Sequence, residues 1–280
     1  MNNVSESLKD RTIVITGGSR GIGREMALRF AADGANIVIA AKSAEPHPKL
    51  PGTIHSVADE VREAGGQALA VQVDVRDEQQ IRDMVEEAVD TFGGIDGLIN
   101  NAGAIKLATA ESLPLKRFDL MYQINTRAVL ACTQACLPHL KKSHCGHILN
   151  LSPPVNLNPK WFENFGPYTI TKYGMSMLTM SLAAELKRYG IAVNSLWPQT
   201  LISTAAVEFE AGGEAALQKG RKPAIMADAA YAILSVPHCS LTGQWLVDEP
   251  FLKTEGVDDF EGYRYDESFD GQLMKDLFLD

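Results

Sequence analysis

The sequence has few cysteines, no long apolar run and fewer basic than acidic residues. Its longest uninterrupted apolar run is the six residues Ala229–Leu234, whereas a membrane-spanning helix needs about 20. Four cysteines among 280 residues, without paired spacing, are not the pattern of an extracellular disulfide scaffold. Residues 1–9 are polar and include Glu6, unlike a secretory signal peptide. We therefore expect a cytoplasmic protein that is not inserted in a membrane.

The net charge of −9 is concentrated near the end of the chain. Residues 248–280 contain eleven Asp or Glu and three Lys or Arg, so the rest of the chain is almost neutral. Nonspecific binding of nucleic acid requires a basic surface, which this balance does not predict. We expect the acidic C-terminal extension to be a solvated rim or a segment packed against a partner subunit.

Short apolar segments alternate with longer amphipathic ones along the chain. In Gln79–Phe92, for example, Ile81, Met84, Val85 and Val89 recur at helical spacing. Strands separated by helices need crossover connections, so the pattern predicts an α/β fold whose mostly parallel, seven-stranded sheet has helices on both faces. No repeat or linker interrupts it, and we expect residues 1–280 to form a single domain. The predicted strands are Thr12–Thr16, Asn36–Ala41, Ala68–Asp74, Gly97–Asn100, His147–Ser152, Ile191–Trp197 and Gln244–Asp248.

A glycine-rich turn joins the first predicted strand to the first predicted helix. It reads Thr-Gly-Gly-Ser-Arg-Gly-Ile-Gly from Thr16 to Gly23. Glycine permits a tight turn and lets a pyrophosphate approach the backbone N–H groups at the positive end of a helix. An isolated turn of this kind can also be a bare structural loop. Its position at the end of the first strand favours dinucleotide binding.

Further motifs follow the glycine-rich turn in a fixed order. They are Asn100-Asn-Ala-Gly103, Asn125, Ser152 and Tyr168-x-x-x-Lys172. Together these motifs resemble the short-chain dehydrogenase/reductase superfamily in order and spacing, over roughly residues 10–250. The resemblance implies a single Rossmann-type doubly wound domain. It also implies an oxidoreductase that interconverts a carbonyl and an alcohol with a nicotinamide coenzyme.

The Tyr168-x-x-x-Lys172 motif accounts for proton transfer in such a reaction. The two residues lie four apart in a predicted helix, so their side chains share one face. A neighbouring ammonium group favours the phenolate, and we expect Lys172 to lower the pKa of Tyr168 toward neutrality. Tyr168 would be the general acid or base, and Ser152 would hold the substrate oxygen. The resemblance implies that Asn125 anchors a water relay to Lys172, which also holds the nicotinamide ribose.

The end of the second predicted strand determines which coenzyme is used. An acidic residue there would bind a free ribose diol, whereas a basic residue would bind a 2′-phosphate. The sequence has Ala41-Lys42, with Arg20 in the glycine-rich turn. NADP(H) is therefore predicted over NAD(H), with Lys49 in the proline-rich segment 45–52 as a third positive charge. The resemblance implies coenzyme contacts from Gly17, Ser19, Arg20, Gly21, Ile22, Gly23, Lys42, Asp74, Val75, Asn101, Ala102, Gly103, Tyr168, Lys172 and Pro198.

The substrate end of the site is predicted to be apolar. Ser152 and Tyr168 are sixteen residues apart, more than is usual in the family, and the enlarged loop carries aromatic residues. A lipid-, terpenoid- or steroid-like compound is the predicted substrate. Gln199 follows Pro198 where the family usually has glycine, in the loop that contacts the nicotinamide. The predicted substrate contacts are Ser152, Pro154, Trp161, Phe162 and Trp197.

The proline-rich segment and Leu151-Ser-Pro-Pro154 also resemble one subgroup of the family, some of whose members append a sterol-carrier domain. No metal site is predicted, because Cys132 and Cys136 stand at helical spacing without a third ligand. The predicted helices Phe118–Lys141 and Tyr168–Arg188 are long and rich in small or apolar residues. By resemblance they form the contact of a homodimer or homotetramer.

Two other functions stay open from the sequence. A coenzyme-binding sensor without turnover is one, although such a protein has no use for the proton donor in the set Ser152, Tyr168 and Lys172. A 3-oxoacyl-thioester reductase is the other, and the acidic balance of the chain disfavours its carrier-bound substrate. The expected partner is a small apolar carbonyl compound or alcohol, with no nucleic acid.

Overall fold

One parallel sheet organises the described part of the chain. The computed structural model describes residues 6–48, 50–210, 213–237 and 240–280. The strands are β1 (Thr12–Thr16), β2 (Asn36–Ala41), β3 (Gln67–Gln72), β4 (Gly97–Asn100), β5 (His147–Asn150), β6 (Ala192–Trp197) and β7 (Trp245–Val247). Their order is β3-β2-β1-β4-β5-β6-β7, and every neighbouring pair is parallel. The predicted α/β fold is confirmed.

The inner strands are apolar on both faces, as expected when helices cover both sides of a parallel sheet. In β1, Ile13 and Ile15 belong to one core layer and Val14 to the other. The same alternation holds in β2, where Ile39 faces the first layer and Val38 the second. Consecutive side chains of a strand point to opposite faces, so β1 and β2 contribute side chains to the core layers on both sides of the sheet.

Amphipathic helices cover the sheet and their ends are set by local chemistry. Asp77 caps the helix at 78–92 by accepting hydrogen bonds from two backbone N–H groups, and Gly93 ends it with a left-handed φ of 84°. No helix of the described residues is long and apolar enough to cross a membrane. The helices are α1 (Gly21–Ala31), α2 (Ile54–Glu63), α3 (Glu78–Phe92), α4 (Leu115–Tyr122), α5 (Ala128–Leu140), α6 (Lys160–Glu163), α7 (Gly166–Leu186), α8 (Ala205–Glu210), α9 (Glu214–Leu217), α10 (Ala224–Leu234) and α11 (Asp248–Thr254).

The predicted long helix Phe118–Lys141 is interrupted. A π-helical turn at Gln123–Arg127 separates α4 from α5. Such turns are rare and frequently occur at functional sites. Here the turn contains Asn125, whose side chain is fully buried.

The acidic C-terminal extension folds back onto the protein instead of forming a solvated rim, which corrects that part of the prediction. Asp248 and Glu249 are buried, and Glu249 forms an ion pair with the buried Arg221 (2.7 Å). Farther along, Phe260 joins the core layer that contains β1, and Phe278 is 1% exposed. The apolar residues spaced between the acids provide the burial that holds this segment in place.

Candidate active site

A cleft of about 740 Å³ lies at the carboxyl end of the sheet. The chain progresses outward from β1 to β3 and then crosses over to β4, and ligands of doubly wound sheets bind at this reversal of strand order. Gly23, Ser152, Pro154, Trp161 and Phe162 do not line the cleft. The predicted site residues that line it are Gly17, Ser19, Arg20, Gly21, Ile22, Lys42, Asp74, Val75, Asn101, Ala102, Gly103, Asn125, Tyr168, Lys172, Trp197 and Pro198.

The glycine-rich turn forms one wall of the cleft. Gly17 has a φ of 68°, and a Cβ atom there would lie 2.9 Å from Ala102 Cα. Asn101 Nδ2 donates to the Gly17 carbonyl (3.0 Å) and so joins the segment after β4 to the glycine-rich turn. A Cβ atom on Gly23 would lie 2.6 Å from the Gly17 carbonyl oxygen, so this glycine lies behind the turn. Close packing against the turn therefore requires glycine at position 23.

The first turn of α1 fits a pyrophosphate group. The helix begins at Gly21 and has no side-chain cap at Arg20. The first N–H groups of a helix have no partner within it and carry partial positive charge, so they bind anions. Residues Ser19 to Ile22 line the cleft at this point. The turn therefore suits the diphosphate of a dinucleotide.

Two basic side chains lie where the adenosine end of a dinucleotide would bind. The Arg20 guanidinium donates to Ser43 Oγ (2.7 Å) and to the Gly52 carbonyl (3.2 Å). Lys42 Nζ lies 3.3 Å from an Asp74 carboxylate oxygen. Lys49 lies outside the described residues. Both described bases remain at the cleft surface, where they are available to an anionic ligand.

Asp74 is held ionised at the same end of the cleft. The Arg76 guanidinium bonds both of its carboxylate oxygens, at 2.9, 3.0 and 2.5 Å. Together with Lys42, this guanidinium keeps the pKa of Asp74 well below its usual range. A fixed carboxylate of this kind can accept a hydrogen bond from a ligand amino group.

Tyr168 and Lys172, the predicted proton-transfer pair, lie on α7, and Ser152 lies just after the end of β5. Lys172 Nζ donates to the Leu151 carbonyl (2.6 Å), and Lys172 and Tyr168 both line the cleft. Ser152 Oγ is fully buried without a hydrogen-bond partner among the described residues. A buried hydroxyl group without a partner is costly. Ser152 directly follows Leu151, which lines the cleft.

The pKa values of Tyr168 and Lys172 differ from the expected direction. Burial raises the pKa of the Tyr168 phenol, and the nearby Asp276 carboxylate raises it further. Burial also lowers the pKa of Lys172 to about 7, which Asp276 partly opposes. The expectation that Lys172 lowers the pKa of Tyr168 is therefore wrong for this structure, because desolvation is the larger effect.

Asn125 links the π-helical turn to α7. Its Oδ1 accepts from Ala104 N–H (2.8 Å), and its Nδ2 donates to the Ala104 carbonyl and to Thr171 Oγ1, both at 2.9 Å. Both N–H bonds of the amide are thus used. In a water relay through this side chain, the water could donate a hydrogen bond only to the second lone pair of Oδ1.

Comparison with known proteins agrees with this geometry. The family model described as short chain dehydrogenase matches residues 11–212. The chain belongs to the short-chain dehydrogenase/reductase family. It is 56% identical over 96% of its length to hydroxysteroid dehydrogenase-like protein 2 of Danio rerio and 53% identical to the Homo sapiens protein of that name. The chain spans 64% and 63% of those relatives' lengths.

A solved structure of the same family resembles the whole described fold. It is a protein from Xanthomonas campestris, 50% identical, with a TM-score of 0.94 over 98% of this chain and 99% of that one. The subgroup that the proline-rich segment indicated is that of hydroxysteroid dehydrogenase-like protein 2. Members of the short-chain dehydrogenase/reductase family are oxidoreductases that bind a nicotinamide nucleotide, and this chain shares that fold and family.

An aromatic cluster lies at the end of the cleft that contains Tyr168 and Trp197. We use this name for Trp161, Phe165, Tyr168, Tyr173, Trp197 and Phe278. Trp161 packs against Phe278 (ring centroids 5.7 Å apart) and Phe162 against Tyr173 (5.9 Å). Of the predicted aromatic substrate contacts, Trp197 alone reaches the cleft among the described residues.

The sequence prediction missed the C-terminal contribution to the site. Residues Met274–Leu277 line the cleft, and Phe278 lies at the centre of the aromatic cluster with a φ of 72°. The run Leu-Phe-Leu at 277–279 is the only apolar triplet in the last fifteen residues of the sequence. That triplet was a signal of burial, but the surrounding acidic residues favoured a solvated segment.

Proposed function

We propose that this protein is an NADP(H)-dependent oxidoreductase that interconverts a carbonyl and a primary or secondary alcohol on an apolar substrate. One observation carries the proposal. Tyr168 and Lys172 share a cleft with the N-terminus of α1, which has no side-chain cap. Ser152, whose hydroxyl group has no hydrogen-bond partner among the described residues, directly follows the cleft residue Leu151. An anion-binding turn and a proton donor at opposite ends of one cleft suit hydride chemistry on a dinucleotide.

Each proposed catalytic residue has a defined task. A bound nicotinamide coenzyme would supply hydride chemistry at the carbonyl carbon. Tyr168 gives its phenolic proton to the carbonyl oxygen in reduction and takes it back in oxidation. Ser152 donates a hydrogen bond to that oxygen. Lys172, oriented by the Leu151 carbonyl, holds the nicotinamide ribose, and Asn125 fixes the backbone beside it.

The raised pKa of Tyr168 keeps its phenol protonated. Because its pKa is raised, the phenol keeps its proton throughout the neutral range and is ready to act as an acid. The aromatic cluster behind Tyr168, with Trp197 in the cleft wall, favours an apolar substrate over a sugar.

Turnover with NADPH tests the proposed function and the coenzyme preference together. The purified protein should consume NADPH in the presence of at least one member of a panel of aliphatic, terpenoid and steroid carbonyl compounds. Arg20 and Lys42 provide charge-assisted hydrogen bonds to a 2′-phosphate. We expect kcat/KM for NADPH to exceed that for NADH roughly five- to 150-fold, which corresponds to about 1–3 kcal/mol of binding free energy.

A double substitution should reverse the preference. Ala41→Asp with Lys42→Ile introduces a carboxylate for the ribose diol and removes the positive charge. Lys142→Ile, at an exposed position outside the cleft, is the control and should retain the wild-type ratio. Equal or better use of NADH by the unmodified protein would contradict the role of Arg20 and Lys42 without affecting the assignment of Tyr168.

We propose that the protein assembles as a homodimer or homotetramer through α7. Ile170, Met177 and Met180 are 52%, 48% and 41% exposed, and their spacing places them on one face of the helix. An exposed apolar stripe is typical of a subunit contact. Light scattering at micromolar concentration should give twice or four times the mass of one chain.

Substitutions on the same face test this assembly. Met177→Glu combined with Met180→Glu should shift the mass to that of a single chain. Phe209→Glu alters another exposed apolar residue, on α8, and should leave the mass unchanged. A wild-type protein of single-chain mass would rule the assembly out.

A further inference from the structure

The C-terminal segment Met274–Asp280 runs along the loop that follows β6. Leu201 N–H donates to the Met274 carbonyl (2.9 Å), and Asp276 N–H donates to the Gln199 carbonyl (3.0 Å). Thr200 and Lys275 form an antiparallel bridge between these bonds. The segment is thus joined by backbone hydrogen bonds to the loop that contains Pro198.

Phe278 anchors the far end of the segment. Its ring lies 5.3 Å from the ring of Tyr173, 5.8 Å from that of Trp197 and 6.1 Å from that of Tyr168, on which it stacks. Trp197 Nε1 donates to the Leu277 carbonyl (2.9 Å). Burial of a whole aromatic ring is favourable enough to outweigh the cost of a positive φ at a residue other than glycine.

Asp276 is held between these two attachments with its side chain at the cleft. It lines the cleft with Tyr168 and Lys172 and is half-buried. One carboxylate oxygen accepts from Leu277 N–H (2.7 Å). The other has no hydrogen-bond partner among the described residues, so it is free to interact with a ligand. This position places a carboxyl group beside the proposed proton donor.

We propose that Asp276 is a specificity-determining residue that disfavours substrates with a negative charge next to the reacting carbonyl. This inference rests on the proposed function and adds the charge of the substrate to it. A carboxylate in a partly buried cleft repels another anion strongly, because little water screens the pair. Like charges placed together are a common means of excluding a wrong ligand. The preferred substrate is therefore a neutral carbonyl compound.

The ionisation of Asp276 makes the effect depend on pH. Its pKa is raised to about 7, mainly by burial, while Lys172 opposes the shift. Asp248, at the start of α11, and Tyr168, on α7, also interact with its charge, and Lys275 precedes it in sequence. Below pH 7 the carboxyl group is largely neutral, and above pH 7 it is largely ionised. Discrimination against anions should therefore increase with pH.

A matched pair of probes isolates the charge of the substrate. Methyl benzoylformate and benzoylformate share the reacting carbonyl and the phenyl ring, and differ in having an ester or a carboxylate. Asp276→Asn should raise kcat/KM for benzoylformate relative to the ester by at least about tenfold at pH 8. At pH 6 the ratios of the two enzymes should differ by less than about threefold, because wild-type Asp276 is then protonated.

Asp280→Asn is the control for loosening of the segment. Asp280 forms an ion pair with Lys160 (2.7 Å) and does not line the cleft. This variant should keep the wild-type ratio of the two probes at both pH values. An unchanged ratio in Asp276→Asn would overturn the inference, and so would an equal shift in both variants, since that would indicate a structural effect of the segment.

Failure of the proposed function gives a different result. If neither the probes nor any compound of the carbonyl panel is reduced although NADPH binds, the proposed function is wrong. The two probes are then compared by calorimetric binding to the protein with NADPH. The ratio of their dissociation constants should still shift by about tenfold in favour of benzoylformate in Asp276→Asn. No shift in that ratio would overturn the role of Asp276 as well.

Discussion

Replacing Tyr168 with phenylalanine is expected to lower kcat by a factor on the order of 10² to 10⁴, the usual contribution of a general acid. The substitution removes the phenolic hydroxyl and keeps the ring, which stacks on Phe278 with centroids 6.1 Å apart. Packing of the aromatic cluster and binding of the coenzyme should therefore be retained. Steady-state kinetics with NADPH, together with fluorescence titration of NADPH, separate the two effects.

Tyr173→Phe provides the matched control. Tyr173 lies on the same helix and in the same cluster, but its hydroxyl donates to the Asn156 carbonyl (2.6 Å) and it does not line the cleft. Loss of that hydrogen bond should cost about 1 kcal/mol of stability and leave kcat within a few-fold of the wild type. Wild-type turnover by Tyr168→Phe would show that another group donates the proton.

Replacing Arg221 with leucine is expected to lower the free energy of unfolding by about 3–5 kcal/mol, because it leaves the carboxylate of Glu249 buried without its partner. The Arg221 guanidinium bonds Glu249 Oε1 at 2.7 Å and the Phe260 carbonyl at 2.6 Å. Thr200 Oγ1 donates to the same carboxylate oxygen at 2.9 Å. Thermal unfolding followed by circular dichroism should show a decrease in Tm on the order of 10 °C.

Two comparisons show whether burial causes the loss. Arg62→Leu breaks the exposed ion pair with Asp59 and should change stability by less than about 1 kcal/mol. Arg221→Met combined with Glu249→Leu removes both buried charges and should recover most of the lost stability. A single Arg221→Leu variant as stable as Arg62→Leu would contradict the importance of this buried pair. Because Thr200 adjoins Lys275 in the sheet-like bridge, loss of the pair should also disturb the cleft.

Local sequence accounts for most of the strands and for the coenzyme half of the cleft. The bounds of β1, β2 and β4 agree with the prediction. Short apolar runs bounded by turns, β-branched in β1 and β2, need no distant contact to be recognised. The glycine-rich turn could also be predicted from local sequence, because the positive φ at positions 17 and 21 favours glycine there. The sequence therefore predicts those elements whose structure is determined by neighbouring residues.

Features that depend on distant contacts were missed. The π-helical turn contains neither proline nor glycine, and it is stabilised by Asn125 bonding to Ala104 and Thr171. The folded-back C-terminal extension depends on contacts such as that between Trp197 and Leu277, 80 residues apart. The composition of this extension shows its acidic residues. It does not show that the apolar residues between them pack against a surface formed by distant parts of the chain.

The attachment of Met274–Asp280 also sets the order in which the site is completed during translation. All seven strands of the described sheet and the glycine-rich turn precede residue 248, and the chain is synthesised from its N-terminus. The wall that contains Asp276 and Phe278 can therefore form only after the rest of the domain has been synthesised. A product that ends before residue 274 would contain the whole sheet while lacking the surface that distinguishes one carbonyl compound from another.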